Sequence, residues 1–492
     1  MQIVEVLEQV KVLSYIGRKD QIITDITYDS RNSGEFTAFC AIKGFKVDGH
    51  HFIQSAIDHG CPLIVCEKLP ETLIENVNYI QVENSRKALS EISAVLTPEI
   101  GLIPIMGVTG TNGKTSISYL LKYIYDFADY KTGVIGTMGA LIGDEKIDLE
   151  NTTPEAPDLH HLLKTMVEKK VDYCFMEVSS HGTELYRTES LRFKTGIFTN
   201  LTEDHLILHK TMENYYQAKK KFFYQVDKAI VNLDDAYGER LYQELKQDGV
   251  TVFGYSSKKP TDGFIQDIII SKSGSQFKLT INNNTYSIAI KTPGEFNIYN
   301  YTSALMAAIY DGINPQKAIH ALEKIPGVVG RFEFLESTLD CAVILDFAHT
   351  PDGLQKVLET INQFAKGRKL VLFGAQGERD ISRRGQMGDI AGHYCDYVVL
   401  TSDNPVYEDP YDICMEIAEA VKKHHQNIAI ILDREQAIRH LIMEYEPGDT
   451  ILLAGKSTEP YQIIKDKKVP YDEKTVALRA IRHQEIIERS QL

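Results

Sequence analysis

The chain has 492 residues, of which 43% are hydrophobic and 25% charged, with a formal net charge of −15 and seven cysteines. That length suits roughly three cores of about 150 residues each, and the acidic balance argues against nonspecific nucleic-acid binding, so anionic ligands must be held by local positive clusters. No apolar run approaches the roughly 20 residues of a membrane span, Met1-Gln2-Ile3-Val4-Glu5 lacks a signal-peptide layout, and the cysteines include no Cys-x-x-Cys pair, so a cytoplasmic protein with reduced thiols and no membrane insertion is expected.

In the first hundred residues, short apolar runs such as Pro62-Leu63-Ile64-Val65 alternate with polar clusters, Thr27-Tyr28-Asp29-Ser30-Arg31 and Ala41-Ile42-Lys43-Gly44. This predicts a small α/β domain over 1–100. Ser30, Arg31 and Lys43 offer a hydroxyl and two cations to a diphosphate or sugar, or else are a capping serine beside surface charges. A boundary is expected near Thr97-Pro98-Glu99, where proline breaks the preceding amphipathic helix.

The apolar run Leu102-Ile103-Pro104-Ile105-Met106 then meets Gly107-Val108-Thr109-Gly110-Thr111-Asn112-Gly113-Lys114-Thr115, and Ile117, Leu120, Leu121 and Ile124 follow at helical spacing. Strand, glycine turn and helix form a phosphate loop. Its backbone N–H groups and the helix N-terminus face a triphosphate, Lys114 reaches the terminal phosphates, and Thr115 can ligate magnesium. Val108 stands where the usual pattern has its first glycine, which marks a variant of the motif.

Strands and helices alternate from 101 to about 331, as in a parallel sheet with ligands at the carboxyl ends of its strands. Asn151-Thr152-Thr153-Pro154-Glu155 presents hydroxyls, the buried run Tyr173-Cys174-Phe175-Met176 ends in Glu177-Val178-Ser179-Ser180-His181, and Gly196 to Leu201 empties into Thr202-Glu203-Asp204-His205. Glu177 and His205 are therefore candidate ligands for magnesium, or else separate structural groups. Helical spacing puts Lys219 in a stripe with Tyr215, Tyr216, Phe222 and Phe223. Held there it is either a neutral amine able to form a carbamate with carbon dioxide, or a lysine that snorkels to water. Residues 251 to 290 read as a small antiparallel appendage. Asn297 then opens an alanine-rich helix, placed to read an adenine edge or to cap the helix. After Gly330-Arg331 the pattern alternates again through Val343–Leu345, Leu370–Phe373, Tyr397–Leu400, Ile428–Ile431 and Ile451–Ala454. Each run ends in polar or glycine residues: Asp346 with His349, Gly374 to Arg379, Asp403-Asn404-Pro405, and Gly455-Lys456. No Gly-x-Gly-x-x-Gly fingerprint opens this part, which argues against a nicotinamide site.

Taken together, Gly-Thr-Asn-Gly-Lys-Thr at 110–115, Asn-Thr-Thr-Pro-Glu at 151–155, Glu177 to Gly182, Asn200 to His205, Ala218-Lys219 and Asp346 to Asp352 resemble the Mur ligases of bacterial cell-wall synthesis. The resemblance covers the whole chain. It implies an α/β protein of three domains: a small UDP-sugar-binding domain (1–100), a central parallel-sheet ATP-binding domain (101–331) and a C-terminal Rossmann-like amino-acid-binding domain (332–492). It implies that Gly110, Thr111, Asn112, Gly113, Lys114, Thr115, Asn297, Arg331 and Asp346 serve ATP. Thr115, Glu177, His205 and a carbamylated Lys219 would organise Mg2+. Ser30, Lys43, Thr152, Thr153, Ser179 and Arg187 would hold a UDP-N-acetylmuramoyl dipeptide, and Asp403, Asn404, Gly455 and Glu459 a diamino acid. Lys114, Lys219, Glu177 and His205 would carry the chemistry, in a monomer serving peptidoglycan synthesis.

Where relatives that add meso-diaminopimelate have arginine after Asp-Asn-Pro, this chain has Val406, which points to L-lysine instead. Other departures from the family pattern are Ile207, Lys210, Leu185 and the run Lys456-Ser457-Thr458-Glu459, consistent with a paralogue of altered substrate. A folylpolyglutamate-synthase-like ligase and an ATP-driven switch that makes no bond are the rival readings.

Overall fold

The computed structural model describes residues 1–44, 47–379 and 381–491. Three α/β sheets follow one another along the chain. The first has the order Ser14–Ile16, Asn78–Gln81, Leu63–Cys66, Thr37–Cys40, Asp25–Thr27, parallel except at the Ser14–Ile16 edge. Its strands Leu63–Cys66 and Thr37–Cys40 are continuous apolar runs because helices cover both faces.

The central sheet has 11 strands. Ile105–Thr109, buried along its whole length, lies between Tyr173–Glu177 and Thr195–Phe198, both parallel to it. One face packs on the helices Lys114–Phe127, Glu295–Tyr310 and Pro315–Lys324, and the other on Ala156–Glu168, Met212–Phe222 and Ala236–Gln247. Register brings Glu177 level with Val108 and Phe198 level with Thr109, so three polar turns leave the sheet together. The expected antiparallel appendage needs correcting. Thr251–Ser256 is a parallel member of this sheet, and only Gly263–Ser271, Gly274–Ile281 and Asn284–Ile290 form an antiparallel meander, hydrogen-bonded on as its continuation.

The C-terminal sheet runs Glu333–Phe334, Ala342–Asp346, Thr450–Ala454, Lys369–Phe373, Tyr397–Leu400, Ile428–Ile430, parallel except at its first strand. A hairpin that the sequence pattern did not announce, Tyr461–Ile464 with Lys467–Pro470, docks beside it through a bridge from Ile464 to Val406. All seven cysteines are free thiols. Among the described residues no helix is long and apolar enough to cross a membrane.

This last domain is pinned by an ion pair without solvent contact. Arg434 and Glu473 open the helices Arg434–Met443 and Glu473–Gln491, and both side chains are 0% exposed with Nη2 to Oε1 at 2.6 Å. Arg434 also donates to the Ala454 carbonyl at 2.8 Å, which ties both helices to the end of a central strand. Arg434→Met would leave Glu473 buried without its counter-ion. It is expected to destabilise the domain by about 3–5 kcal/mol, measured as a shift in chemical denaturation midpoint at unchanged slope.

Candidate active site

A cleft of about 960 Å³ separates the central and C-terminal sheets, lined on one side by Thr111 to Thr115 and on the other by Asp403, Asn404, Gly455 and Glu459. The phosphate loop takes its shape from two glycines at positive φ, Gly110 (145°) and Gly113 (91°). A Cβ on Gly110 would sit 1.8 Å from Thr199 Oγ1, so the close approach of the two turns requires glycine there. Residues 199 and 200, which the sequence reading assigned no role, brace the loop. Thr111 N–H donates to the Asn200 carbonyl at 2.9 Å, Asn112 N–H to Asn200 Oδ1 at 3.0 Å, and Thr199 Oγ1 to the Asn112 carbonyl at 2.6 Å. The unpaired N–H groups at the start of the helix Lys114–Phe127 therefore point at the cleft as an anion site.

Lys114 Nζ donates to the carbonyls of Gly110 (3.0 Å) and Thr111 (2.9 Å). Burial pulls its pKa below the usual lysine range, while Glu177 and Asp204 pull the other way. Thr115 Oγ1 accepts from Arg331 Nη2 at 3.2 Å, and the Arg331 guanidinium lies 4.4 Å over the Phe347 ring. Asp346 holds the linker, accepting from Phe332 N–H at 2.6 Å and Ala348 N–H at 2.7 Å. Arg331 and Asp346 both line the cleft. Asn297 is buried and outside the cleft lining, with its amide donating to the Pro293 carbonyl at 2.7 Å; its helix is capped at Gly294 without a side-chain bond, so the expected capping role is not what the side chain does.

Glu177 is 1% exposed at the cleft wall and accepts from Thr137 N–H at 2.9 Å and Thr137 Oγ1 at 3.0 Å. A Cβ on Gly136 would lie 2.2 Å from its Oε1, so that glycine makes room for the carboxylate. His205 also lines the cleft, edge-on to His181 at 4.9 Å, and burial holds its ring neutral against the pull of Asp204. Lys219 does not snorkel to water. It is 1% exposed behind the loop, with Nζ donating to the Gly110 carbonyl at 2.9 Å and lying 4.8 Å over the Tyr215 ring. Burial, reinforced by Lys114, drives its pKa well below the lysine range. Among the described residues no three His, Cys, Asp or Glu side chains cluster to hold a metal. One buried carboxylate and one neutral imidazole beside a phosphate loop nevertheless fit magnesium, which keeps several waters and takes most other ligands from phosphates.

Across the cleft, Lys456 has a side chain 0% exposed and donates to Asn404 Oδ1 at 2.5 Å, with Asp403 Oδ1 at 3.4 Å. It also bonds to Glu459 Oε2, which accepts from Asn404 Nδ2 at 3.0 Å. Two carboxylates against one ammonium leave this corner negative, suited to a ligand cation. Val406 itself is outside the cleft lining, at φ 55°, with its N–H donating to Ile463 O (3.2 Å) and its carbonyl accepting from Lys465 N–H (2.7 Å).

Thr152 and Ser179 line the cleft, whereas Thr153 and Arg187 are buried supports behind them. Thr153 Oγ1 donates to the Glu177 carbonyl at 2.9 Å, and Arg187 donates to the Thr153 carbonyl at 2.9 Å and Glu155 Oε1 at 2.7 Å. Ser30 and Lys43 are not brought to this cleft. They follow Asp25–Thr27 and Thr37–Cys40, adjacent parallel strands of the first sheet, at the same carboxyl edge. Arg31 is paired with Asp29 at 2.5 Å. Two interdomain contacts fell outside the sequence reading: Asn112 Nδ2 donates to Asp352 Oδ2 at 2.7 Å, and Arg383 Nη1 pairs with Asp204 Oδ1 at 3.2 Å.

A phosphate loop that shares one cleft with an acidic corner on a second α/β domain defines a nucleotide-dependent enzyme in which two domains meet over the reacting groups. Family profiles match in the same order: "Mur ligase family, catalytic domain" over 22–96, "Mur ligase middle domain" over 108–308 and "Mur ligase, glutamate ligase domain" over 330–457. The chain is 39% identical over 485 residues to UDP-N-acetylmuramoyl-L-alanyl-D-glutamate--2,6-diaminopimelate ligase 1 of Clostridium acetobutylicum, covering 98% of this chain and 99% of that one. It is 40% identical over 482 residues to the corresponding ligase of Clostridium tetani, covering 97% and 98%. A solved structure of a UDP-N-acetylmuramoyl-L-alanyl-D-glutamate--2,6-diaminopimelate ligase superposes with a TM-score of 0.71 at 27% identity, over 99% of both chains. The chain belongs to the Mur ligase family and is an ATP-dependent amide ligase.

Proposed function

We propose that this chain joins a diamino acid to a free carboxylate of the D-glutamate in UDP-N-acetylmuramoyl-L-alanyl-D-glutamate, with L-lysine preferred over 2,6-diaminopimelate, as a cytoplasmic monomer in peptidoglycan precursor synthesis. The observation that carries the reading is that the phosphate loop and the corner of Asp403, Asn404 and Glu459 face one cleft. A carboxylate does not react with amines unaided. Its oxygen first attacks the terminal phosphorus of ATP and ADP leaves; the amine then attacks the acyl carbon of the resulting acyl phosphate, forming the amide bond as phosphate leaves and the nitrogen loses a proton.

Lys114 and the N-terminus of its helix would stabilise charge on the phosphoryl group in flight. Thr115, Glu177, His205 and a carbamate on Lys219 would hold magnesium, which supplies positive charge against the phosphate oxygens. Arg331 and Asp346 would set the nucleotide, with Ser30 and Lys43 at the uridine diphosphate end of the acid substrate. Thr152 and Ser179 would touch the acid's peptide arm, with Thr153 and Arg187 supporting that wall. The docked C-terminal domain, held by Arg383 on Asp204 and by Asn112 on Asp352, would align the amine and keep water from the acyl phosphate.

The preference for lysine rests on the negative corner and on the position after Asp403-Asn404-Pro405, where Val406 lies outside the cleft lining and brings no guanidinium to it. The aliphatic side chain offers no bidentate partner to a distal carboxylate, while Asp403 and Glu459 suit an ammonium. The names of the clostridial relatives favour the second reading, 2,6-diaminopimelate. ADP release with each amino acid in turn decides between them, and lysine is expected to give the higher kcat/KM. Val406→Arg should raise turnover of diaminopimelate relative to lysine by about tenfold, the worth of a charge-assisted hydrogen bond. Higher kcat/KM with diaminopimelate in the unaltered chain would reverse the assignment.

A further inference from the structure

Ser457 has φ 48°, in the left-handed region that L side chains rarely adopt. Two hydrogen bonds hold it there. Its N–H donates to Glu473 Oε2 at 2.5 Å, and its hydroxyl donates to the Gly330 carbonyl at 2.8 Å. The first bond belongs to the C-terminal domain's interior, since Glu473 is fixed through its other oxygen by Arg434. The second reaches out of that domain to the linker. Gly330 is itself at φ 68°, and a Cβ on it would lie 2.2 Å from Ser457 Oγ and 2.4 Å from Thr458 Cγ2, so the two segments are in direct contact.

What lies on either side gives the contact its meaning. One residue before Ser457 is Lys456, whose ammonium organises Asp403, Asn404 and Glu459. One residue after Gly330 is Arg331, whose guanidinium donates to Thr115 Oγ1 at 3.2 Å. A single hydroxyl therefore joins the loop that carries the amino-acid corner to the linker that carries the arginine of the nucleotide side.

We infer that Ser457 is a positioning residue that couples amino-acid binding to nucleotide binding by tying the loop 455–459 to the linker at Gly330. The loop arrangement that presents Lys456 and Glu459 is the one that leaves Arg331 on Thr115, so filling either site favours the other. This rests on the proposed function, which puts the amino acid at Asp403 and Glu459.

Ser457→Gly tests it on the full chain. Glycine adopts the same φ without steric cost and keeps the N–H bond to Glu473, so the substitution removes the CH2OH group and with it the bond to the Gly330 carbonyl. In the unaltered chain the KM for ATP should fall about fivefold between trace and saturating amino acid, the effect of one ordinary hydrogen bond. In the variant that ratio should approach one, with kcat at saturation of both substrates within about twofold of the original. A variant that keeps the original ratio and differs only in melting temperature gives Ser457 a merely structural role and overturns the coupling. An unaltered chain whose KM for ATP ignores the amino acid overturns it too. If the unaltered chain makes no ADP with any amino acid offered, the proposed function falls and takes the coupling with it.

Discussion

Lys114→Ala is expected to lower kcat by about 1000-fold, the upper range for removing one donor aimed at charge that develops in a transition state. The lysine opens the helix Lys114–Phe127 at the mouth of the phosphate loop, and its ammonium bonds only to backbone carbonyls of that loop. Among the described residues Lys219 bonds to the same Gly110 carbonyl, but its ammonium form is disfavoured by burial, while Arg331 is engaged with Thr115 and Phe347 and Arg383 with Asp204, so none of the three replaces Lys114. Burial already disfavours the charge on Lys114, so truncation should leave thermal stability close to the original. Steady-state ADP release under saturating substrates measures the effect. A loss smaller than about tenfold would mean that the phosphoryl group is handled elsewhere.

Lys219→Ala should be nearly as damaging, at about 100- to 1000-fold in kcat, for a different reason. The Lys219 amine is sealed behind the loop, where burial and then Lys114 disfavour its ammonium form and Asp204 only partly offsets them. A neutral amine there can attack carbon dioxide. The new C–N bond would form as a nitrogen proton is lost, leaving an anionic oxygen donor at the Lys219 side-chain end. Small carboxylates such as formate or acetate should restore part of the alanine variant's activity by filling the vacated space. Mass analysis of the unaltered chain under mild conditions should show one added carbon dioxide at Lys219. Near-original activity in the variant, or an unmodified amine in a fully active enzyme, would contradict the assignment.

Much of the fold could be read from the chain because parallel strands covered on both faces are written as unbroken apolar runs. Tyr173–Glu177 and Lys369–Phe373 stand out as such runs, and the polar residues after them mark the cleft edge. The hairpin Tyr461–Ile464 and Lys467–Pro470 was illegible for the complementary reason: it is half-buried to exposed, and Lys467–Pro470 has no buried face to impose alternation. Lys456, named only as a polar residue at a strand end, was given no role because lysine ordinarily reads as surface, whereas here its burial depends on Asp403 and Asn404, more than fifty positions away. The interdomain bonds of Asn112 with Asp352 and Arg383 with Asp204 depend on domain docking, which no local pattern encodes. Two departures from the family pattern, Lys210 (φ 66°) and Ser457 (φ 48°), fall where the backbone is left-handed. For Ser457, two hydrogen bonds hold an L side chain in that strained conformation.

The most direct test of the central claim, that a carboxylate is phosphorylated at the Gly110–Thr115 loop before an amine captures it, follows the carboxylate's own oxygen. UDP-N-acetylmuramoyl-L-alanyl-D-glutamate labelled with oxygen-18 in both free carboxylates of its D-glutamate is incubated with ATP, magnesium and L-lysine, and the released phosphate is weighed by mass spectrometry. One labelled oxygen in each phosphate, with an equal amount of ADP and of new amide, is the predicted result. Unlabelled phosphate, or ADP formed without amide, would contradict it.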